Sequence, residues 1–193
     1  MTMTIKQAPA ILLHLLHPEW TDIAEKIEEA KGGGNVFLAG GALRDMLNEV
    51  EVKDLDFWLY VDPEKRNEVT QKLIAVFGEP DLEMSTGSTL GNERHIDYIL
   101  QFPTDSLPIQ VIFLATDLSL EELLADFDFG ICQIGCDGKD IVATQAFADD
   151  CINKTLTYMR HGETEGRVSG RLARLQEKYP EHKAVGIPDY TIH

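Results

Sequence analysis

The sequence predicts an α/β (α+β) domain, a mixed β-sheet flanked by helices, with a short helical segment at its C-terminal end. Three observations lead there. Residues 35–61, NVFLAGGALRDMLNEVEVKDLDFWLYV, read as an apolar strand, a Gly-Gly turn, a short helix, a polar turn and a second strand. Arg94–Gln101 and Ile109–Ala115 are further strand-like runs, joined by a Pro-bearing turn at 102–108. Apolar residues at i, i+3, i+4 and i+7 elsewhere mark amphipathic helices that can cover a sheet.

Taken in order, Ile11–Leu16 is an apolar patch, and Pro18 or Glu19 opens a helix running to about Lys31. Trp20, Ile23, Ala24 and Ile27 form its packing face. Gly32-Gly33-Gly34 stops it. These glycines precede a strand rather than follow one, and no G-x-G-x-x-G is present, which argues against a dinucleotide site. Asn35–Ala39 is a short apolar strand between glycines, and Ala42–Leu47 a helix of good formers. In Asp54–Tyr60 the period of two puts Asp54, Asp56 and Trp58 on one face and Leu55, Phe57 and Leu59 on the other.

Pro63 starts a helix through about Phe77, with Val69, Leu73 and Val76 as its stripe and Gly78 and Pro80 as its stop. Leu82–Asn92, rich in Ser, Thr and Gly, is a loop or frayed strand, either ordinary loop filling or a contact to phosphate or ribose. In the next two strands Ile96, Tyr98 and Leu100 share a face, as do Ile109, Val111 and Phe113. Ser119 caps a helix to Asp126 with Glu121 and Glu122 in its first turn. Composition alone makes Phe127–Gly135 a strand; Ile141–Thr144 is a short one. Arg167–Tyr179 is a helix with Arg167, Arg171, Arg174 and Lys178 on one stripe and Leu172, Leu175 and Val168 opposite.

The length, 193 residues, suits one domain with an appendage, divided as an N-terminal helical segment (1–32), a head (33–157) and a basic C-terminal helix and tail (158–193). No apolar run reaches membrane-spanning length, and the N-terminus lacks the basic start of a signal peptide, so the cytoplasm is expected. Three cysteines fit a reducing compartment, and no second Cys pair or His cluster completes a zinc site with Cys132 and Cys136. The formal charge of −16 disfavours broad nucleic-acid binding. It is uneven: residues 1–158 hold 11 Lys/Arg against 28 Asp/Glu, and residues 159–193 hold 6 against 5. Polyanion contact therefore falls to the C-terminal segment or to a local pocket.

Asp54 and Asp56 repel each other on one strand face, and a divalent cation removes the repulsion. Carboxylate oxygens suit Mg²⁺, and paired Mg²⁺ ions clamp in-line phosphoryl transfer. The Gly40-Gly41 turn ahead of a helix offers unhindered backbone N–H groups as a phosphate seat. Cation on one strand and phosphate on the neighbouring turn imply a nucleoside triphosphate between them.

Gly40-Gly41-Ala42-Leu43-Arg44-Asp45 followed by Lys53-Asp54-Leu55-Asp56 resembles the head-domain motif of the polymerase-β-like nucleotidyltransferases, in the tRNA CCA-adding enzyme and poly(A) polymerase branch. Asp128-Phe129-Gly130-Ile131 is similar to that family's D-F-T-I-N, and Asp150–Leu156 to its D-L-x-N-K-x-I. The resemblance implies a polymerase-β-like nucleotidyltransferase fold in which 127–135 is helical. It implies Mg²⁺, two sites being possible, on Asp54 and Asp56. Gly40 and Gly41 would cradle the β- and γ-phosphates with Arg44 assisting, and Asp45 would orient the turn. Asp128 would bind a ribose hydroxyl or hold the fold. The family's third carboxylate falls near Gln110, a neutral amide; Asp97 on the neighbouring strand can supply the missing charge or be a solvated strand aspartate. Arg171 and Arg174 would meet triphosphate or RNA backbone.

In the family, base selection and tRNA gripping belong to further helical domains, so a minimal nucleotidyltransferase is expected in place of CCA addition. The expected partners are a nucleoside triphosphate such as ATP, and RNA through the basic stripe; no membrane is involved. An RNA 3′ end is the leading acceptor, with a protein side chain or a small molecule also open. The reading from a different class is a silent nucleotide-binding regulator.

Overall fold

The structure, a computed structural model, describes residues 3–85 and 95–190. The chain runs β1 (Thr4–Pro9), α1 (Ile11–Leu16), α2 (Pro18–Lys31), β2 (Val36–Ala39), α3 (Gly41–Leu47), β3 (Leu55–Tyr60) and α4 (Arg66–Phe77). It continues through β4 (Leu82–Ser85), β5 (Ile96–Phe102), β6 (Ile109–Leu114), α5 (Leu120–Ala125), a 3₁₀ turn (Gly130–Cys132), β7 (Ile134–Cys136) and β8 (Asp140–Thr144). Last come α6 (Gln145–Asn153), β9 (Thr155–Thr157), α7 (Glu165–Lys178) and β10 (Lys183–Val185). No described helix is long and apolar enough to cross a membrane.

Among the described residues the main sheet has eight strands in the order β1-β8-β7-β2-β3-β6-β5-β4. It is mixed: β3 and β6 pair in parallel, and their other neighbours are antiparallel. Its central strands owe their place to alternation. Leu55, Phe57 and Leu59 are buried beside Leu100, Phe102, Val111 and Phe113, under Trp20 and Ile27 of α2 and Val69 and Leu73 of α4. Each such side chain contributes about 1.5–3 kcal/mol by leaving water. The opposite face carries Asp56, Trp58 and Tyr60. Only part of it is covered, by Leu120, Leu123 and Leu124 of α5 packing on Phe37, Ala39 and Leu114. The uncovered part is where a ligand has room. A third cluster, with Phe129, Ile131, Tyr158, Val168, Leu175 and Tyr179, joins α7 to the 3₁₀ turn.

Several expectations need correction. The first 32 residues are not all helical: Thr4–Pro9 is an edge strand on β8. Val76 is 48% exposed, and Thr70 is buried in its place beside Val69 and Leu73. Residues 127–135 are neither one strand nor one helix, since a 3₁₀ turn precedes a three-residue strand. The expected face of Ile96, Tyr98 and Leu100 is broken by a bulge between Ile96 and Tyr98, so Ile96 turns to the open side with Ile99. In the 82–92 stretch, 82–85 is a strand, and the phosphate or ribose contact considered for 86–92 lies outside the described residues.

Candidate active site

The open face of the sheet, the turn before α3 and one face of α7 enclose a cavity of about 750 Å³. Gly40, Gly41, Arg44, Asp54, Asp56, Asp128, Arg171 and Arg174 all line it, so eight of the nine sequence-predicted residues come together. Asp97 does not. Its carboxylate pairs with Arg66 at the start of α4, and it is not among the cavity-lining residues. The bulge that turns Ile96 toward the cavity explains this, and the expectation that Asp97 completes the carboxylate set is withdrawn.

Gly40 has φ 92° and ψ −119°, a conformation that a side chain disfavours, and it swings the chain from β2 into α3. Its N–H donates to the Ile134 carbonyl at 2.8 Å, so that group is unavailable to a ligand. A Cβ on Gly41 would lie 3.7 Å from Arg44 Nη2 and 3.9 Å from Asp54 Oδ1. The bare glycine thus leaves space between a guanidinium and a carboxylate.

Asp54 ends the loop into β3 and Asp56 stands two residues on. Burial, then the neighbouring Asp54, pushes the Asp56 carboxyl up to about 7, against the opposing pull of Arg171, Arg44 and Lys178. Two carboxylates that resist joint ionisation suit a hard dication, and Mg²⁺ is usually held by one or two carboxylates plus substrate phosphates. The donor set fits that arrangement. Among the described residues no group of three or more His, Cys, Asp or Glu is placed to hold a metal. Gln110, near which the resemblance leads one to expect a third carboxylate, lies directly across from Asp56 in the parallel register. Its Nε2 donates to Gln101 Oε1 at 3.1 Å, and Gln101 Nε2 donates to Asp81 Oδ1 at 3.1 Å.

The cations arrive on α3 and α7. Arg44 is 5% exposed; its Nε donates to Asp45 Oδ1 at 2.6 Å and to the Tyr179 hydroxyl at 3.2 Å, and its Nη1 to Cys132 Sγ at 3.2 Å. Asp45 also accepts from Tyr179 at 2.6 Å and from Lys178. Burial pushes the Asp45 carboxyl up, but Arg44, Lys178 and Tyr179 outweigh it and hold it below the ordinary range. Arg171 grips Asp128 with Nε at 2.9 Å and Nη2 at 3.3 Å, and the Asp128 carboxyl, pushed up by burial, is brought below the ordinary range by Arg171 with Arg160 and Arg167. Asp128 therefore holds α7, and the basic stripe points into the cavity. Arg174 is exposed on the same wall.

The Asp150–Leu156 segment is structural. Asp150 is fully buried, and it accepts from the Ile131 and Thr157 N–H groups and the Thr155 and Thr157 hydroxyls. A Cβ on Gly130 would stand 2.8 Å from Asp150 Oδ2, which accounts for glycine where the motif has Thr. Sequence reasoning missed Trp58, Phe127 and Arg160 as cavity residues, and did not place Lys178 at the site. Trp58 had a signal, since alternation already put it beside Asp56.

A family model described as Gabija anti-defense 2 family protein matches residues 15–154. The chain belongs to that family. Among curated proteins no relative matches. Among solved structures, a CCA-adding enzyme in complex with ATP aligns at TM-score 0.64 and 12% identity, over 95% of this chain and 43% of that one. The Thermotoga maritima CCA-adding enzyme complexed with tRNA aligns at 0.63 and 12%, over 99% and 44%. A tRNA-processing enzyme in an apo form aligns at 0.59 and 15%, over 95% and 45%. The chain thus spans less than half the length of these enzymes, and at such identities the likeness is one of fold. The shared fold, a mixed sheet flanked by helices, resembles that of the polymerase-β-like nucleotidyltransferase head domain.

Proposed function

We propose that the chain transfers a nucleotidyl group from a nucleoside triphosphate to an acceptor hydroxyl, releasing pyrophosphate. The observation that carries this is the meeting, in one cavity, of the Asp54/Asp56 pair with Arg44, Arg171, Arg174 and Lys178. Acids and bases gathered this closely in one cavity match a ligand that brings both a dication and several phosphate charges. Asp54 and Asp56 would hold Mg²⁺, which when bound neutralises charge on the phosphates and makes the acceptor hydroxyl more acidic.

The chain's own residues supply the rest. Gly41 leaves room for phosphate oxygens between Arg44 and Asp54. Arg44, fixed by Asp45 and Tyr179, offers Nη2 as a preorganised donor, and Arg171, Arg174 and Lys178 on α7 meet the departing pyrophosphate. Held rigidly, these donors need no reorganisation when charge develops. The CCA-adding enzyme complexed with tRNA is more than twice the length of the part this chain spans, so tRNA is not carried over to this chain as its acceptor.

A second reading is a silent nucleotide-binding regulator, favoured by Gln110 in place of a carboxylate. The two separate on one assay with α-labelled triphosphates and Mg²⁺. Label transferred to an acceptor by the wild type and not by Asp54→Asn or Asp56→Asn supports the transferase. Mg²⁺-dependent triphosphate binding with no label on any RNA, protein or small molecule supports the regulator.

A further inference from the structure

The acceptor side of the cavity has its own chemistry, and the sheet register defines it. The first cross-strand row on the open face is polar: Asp56, Gln110, Gln101. The next is apolar: Trp58, Ile112, Ile99. Rows two residues apart stand about 7 Å from each other along the strands. Ile96, turned inward by the bulge, and Leu123 of α5 extend the apolar row toward His95.

Position in the sheet gives this surface its role. The glycine turn and α3 follow β2, on one side of β3, and Arg44 of α3 contacts Tyr179 and Cys132 there. If the triphosphate seats against those cations, pyrophosphate leaves toward β2. An in-line displacement then requires the attacking oxygen to enter from the other side, over β6 and β5. Gln110, Ile112, Ile99, Ile96 and His95 line that side, with no described Lys or Arg on β5 or β6 facing the cavity. Of the other cations on the cavity wall, Arg160 is engaged by the Asp126 carbonyl at 2.5 Å, the Asp126 carboxylate at 2.9 Å and Glu163 at 3.3 Å, Arg167 pairs with Glu163 at 3.0 Å, and Lys53 stands beside Asp54 ahead of β3. An RNA 3′ end brings a phosphate with every nucleotide and is held by cations that follow its backbone. The net charge of −16 works against it further.

We propose that the β5–β6 side of the cavity is the acceptor site, and that it takes a tyrosine hydroxyl presented by a protein substrate. The ring lies on the half-buried Ile99 and Ile96 beside the edge of Trp58, with the buried Ile112 as the floor beneath them. The row spacing then carries its hydroxyl to the Asp56–Gln110 row, a reach that serine and threonine lack. The phenolic oxygen attacks the α-phosphorus, and the bond from that phosphorus to the α,β-bridging oxygen breaks. Pyrophosphate departs with the electron pair, and the phenolic proton passes to water. The product is a tyrosyl-O-nucleotide phosphodiester. The proposal rests on the transferase reading above.

The test uses the full chain, Mg²⁺ and each of the four triphosphates labelled at the α-phosphate. Acceptors are a library of neutral peptides each holding one Tyr, Ser or Thr between apolar residues, Phe-for-Tyr controls, and RNA of random sequence with a free 3′ hydroxyl. The expected result is label on Tyr peptides at least about tenfold above Ser and Thr peptides, and none on the controls. Ile99→Glu should cut peptide labelling by about tenfold or more while Mg²⁺-dependent triphosphate stabilisation persists, which also shows that the variant folds. Ile96→Asp, at a half-exposed position, should do the same if Ile99→Glu does not fold. Label on RNA and not on peptides overturns the tyrosine site and keeps the transferase. Equal labelling by wild type and both variants overturns the site as well. Triphosphate binding without transfer to anything overturns the transferase reading and the site with it.

Discussion

Gly40 and Asp56 show how single residues here trade stability for a site. A side chain at Gly40 would have to adopt φ 92°, a cost of order 1–3 kcal/mol. Gly40→Ala should therefore lower the denaturation midpoint with an unchanged slope in urea. Asp56 has a folded pKa near 7, above its unfolded value near 4. An acid shifted in that direction ionises first in the unfolded chain, so it costs stability progressively as pH rises from about 4 to about 7, and fully beyond. Asp56→Asn should raise the metal-free melting temperature at pH 8 by a few degrees and change it little at pH 4. A melting scan of both proteins across that range checks the sign. The Asp-x-Asp pair and the glycine turn were legible because both are local patterns. The failure at Asp97 and the structural role of Asp150 were not legible. The first depends on a bulge, the second on donors from the 3₁₀ turn and β9.

At the scale of elements, α7 completes the cavity because two of its side chains and the tyrosine that follows it reach back to the head. Arg171 grips Asp128, and Lys178 and Tyr179 grip Asp45. Asp45 is 1% exposed, so Asp45→Asn leaves Arg44 and Lys178 short of a buried partner and should cost about 3–5 kcal/mol. Its folded pKa is depressed, so its stabilisation is complete above about pH 5 and is lost as pH falls through 4 toward the depressed value. Acid-unfolding curves of the wild type should steepen there, and those of Asp45→Asn should not. The basic stripe of α7 was plain in the sequence. Its inward direction was not, because the carboxylates that turn it lie about 40 and 130 residues away in the chain. The edge strand β1 escaped for a different reason: its burial follows no period of two, leaving no alternation to read.

For the molecule as a whole, the acidic surface and the cationic cavity wall have opposite consequences. The surface repels polyanions at long range, while a small anion carrying a dication can enter a cavity whose walls already hold both signs. Triphosphate binding should accordingly depend on Mg²⁺ and weaken only moderately with salt, whereas RNA binding without triphosphate should be weak even at low salt. The fold class was readable because Gly-Gly, Asp-x-Asp and the later motifs appear in order. The acceptor side was not, because it is made by register between β3, β6 and β5, a long-range property. The most direct test of the central claim is thermal unfolding with each triphosphate at about 100 times its dissociation constant, with and without Mg²⁺, for the wild type and Asp54→Asn/Asp56→Asn. At that saturation binding contributes about 2.7 kcal/mol, or roughly 5–10 °C for a chain of this size. The account predicts that rise for the wild type with Mg²⁺ and its loss in the double variant; an equal rise in both proteins, or none in either, contradicts it.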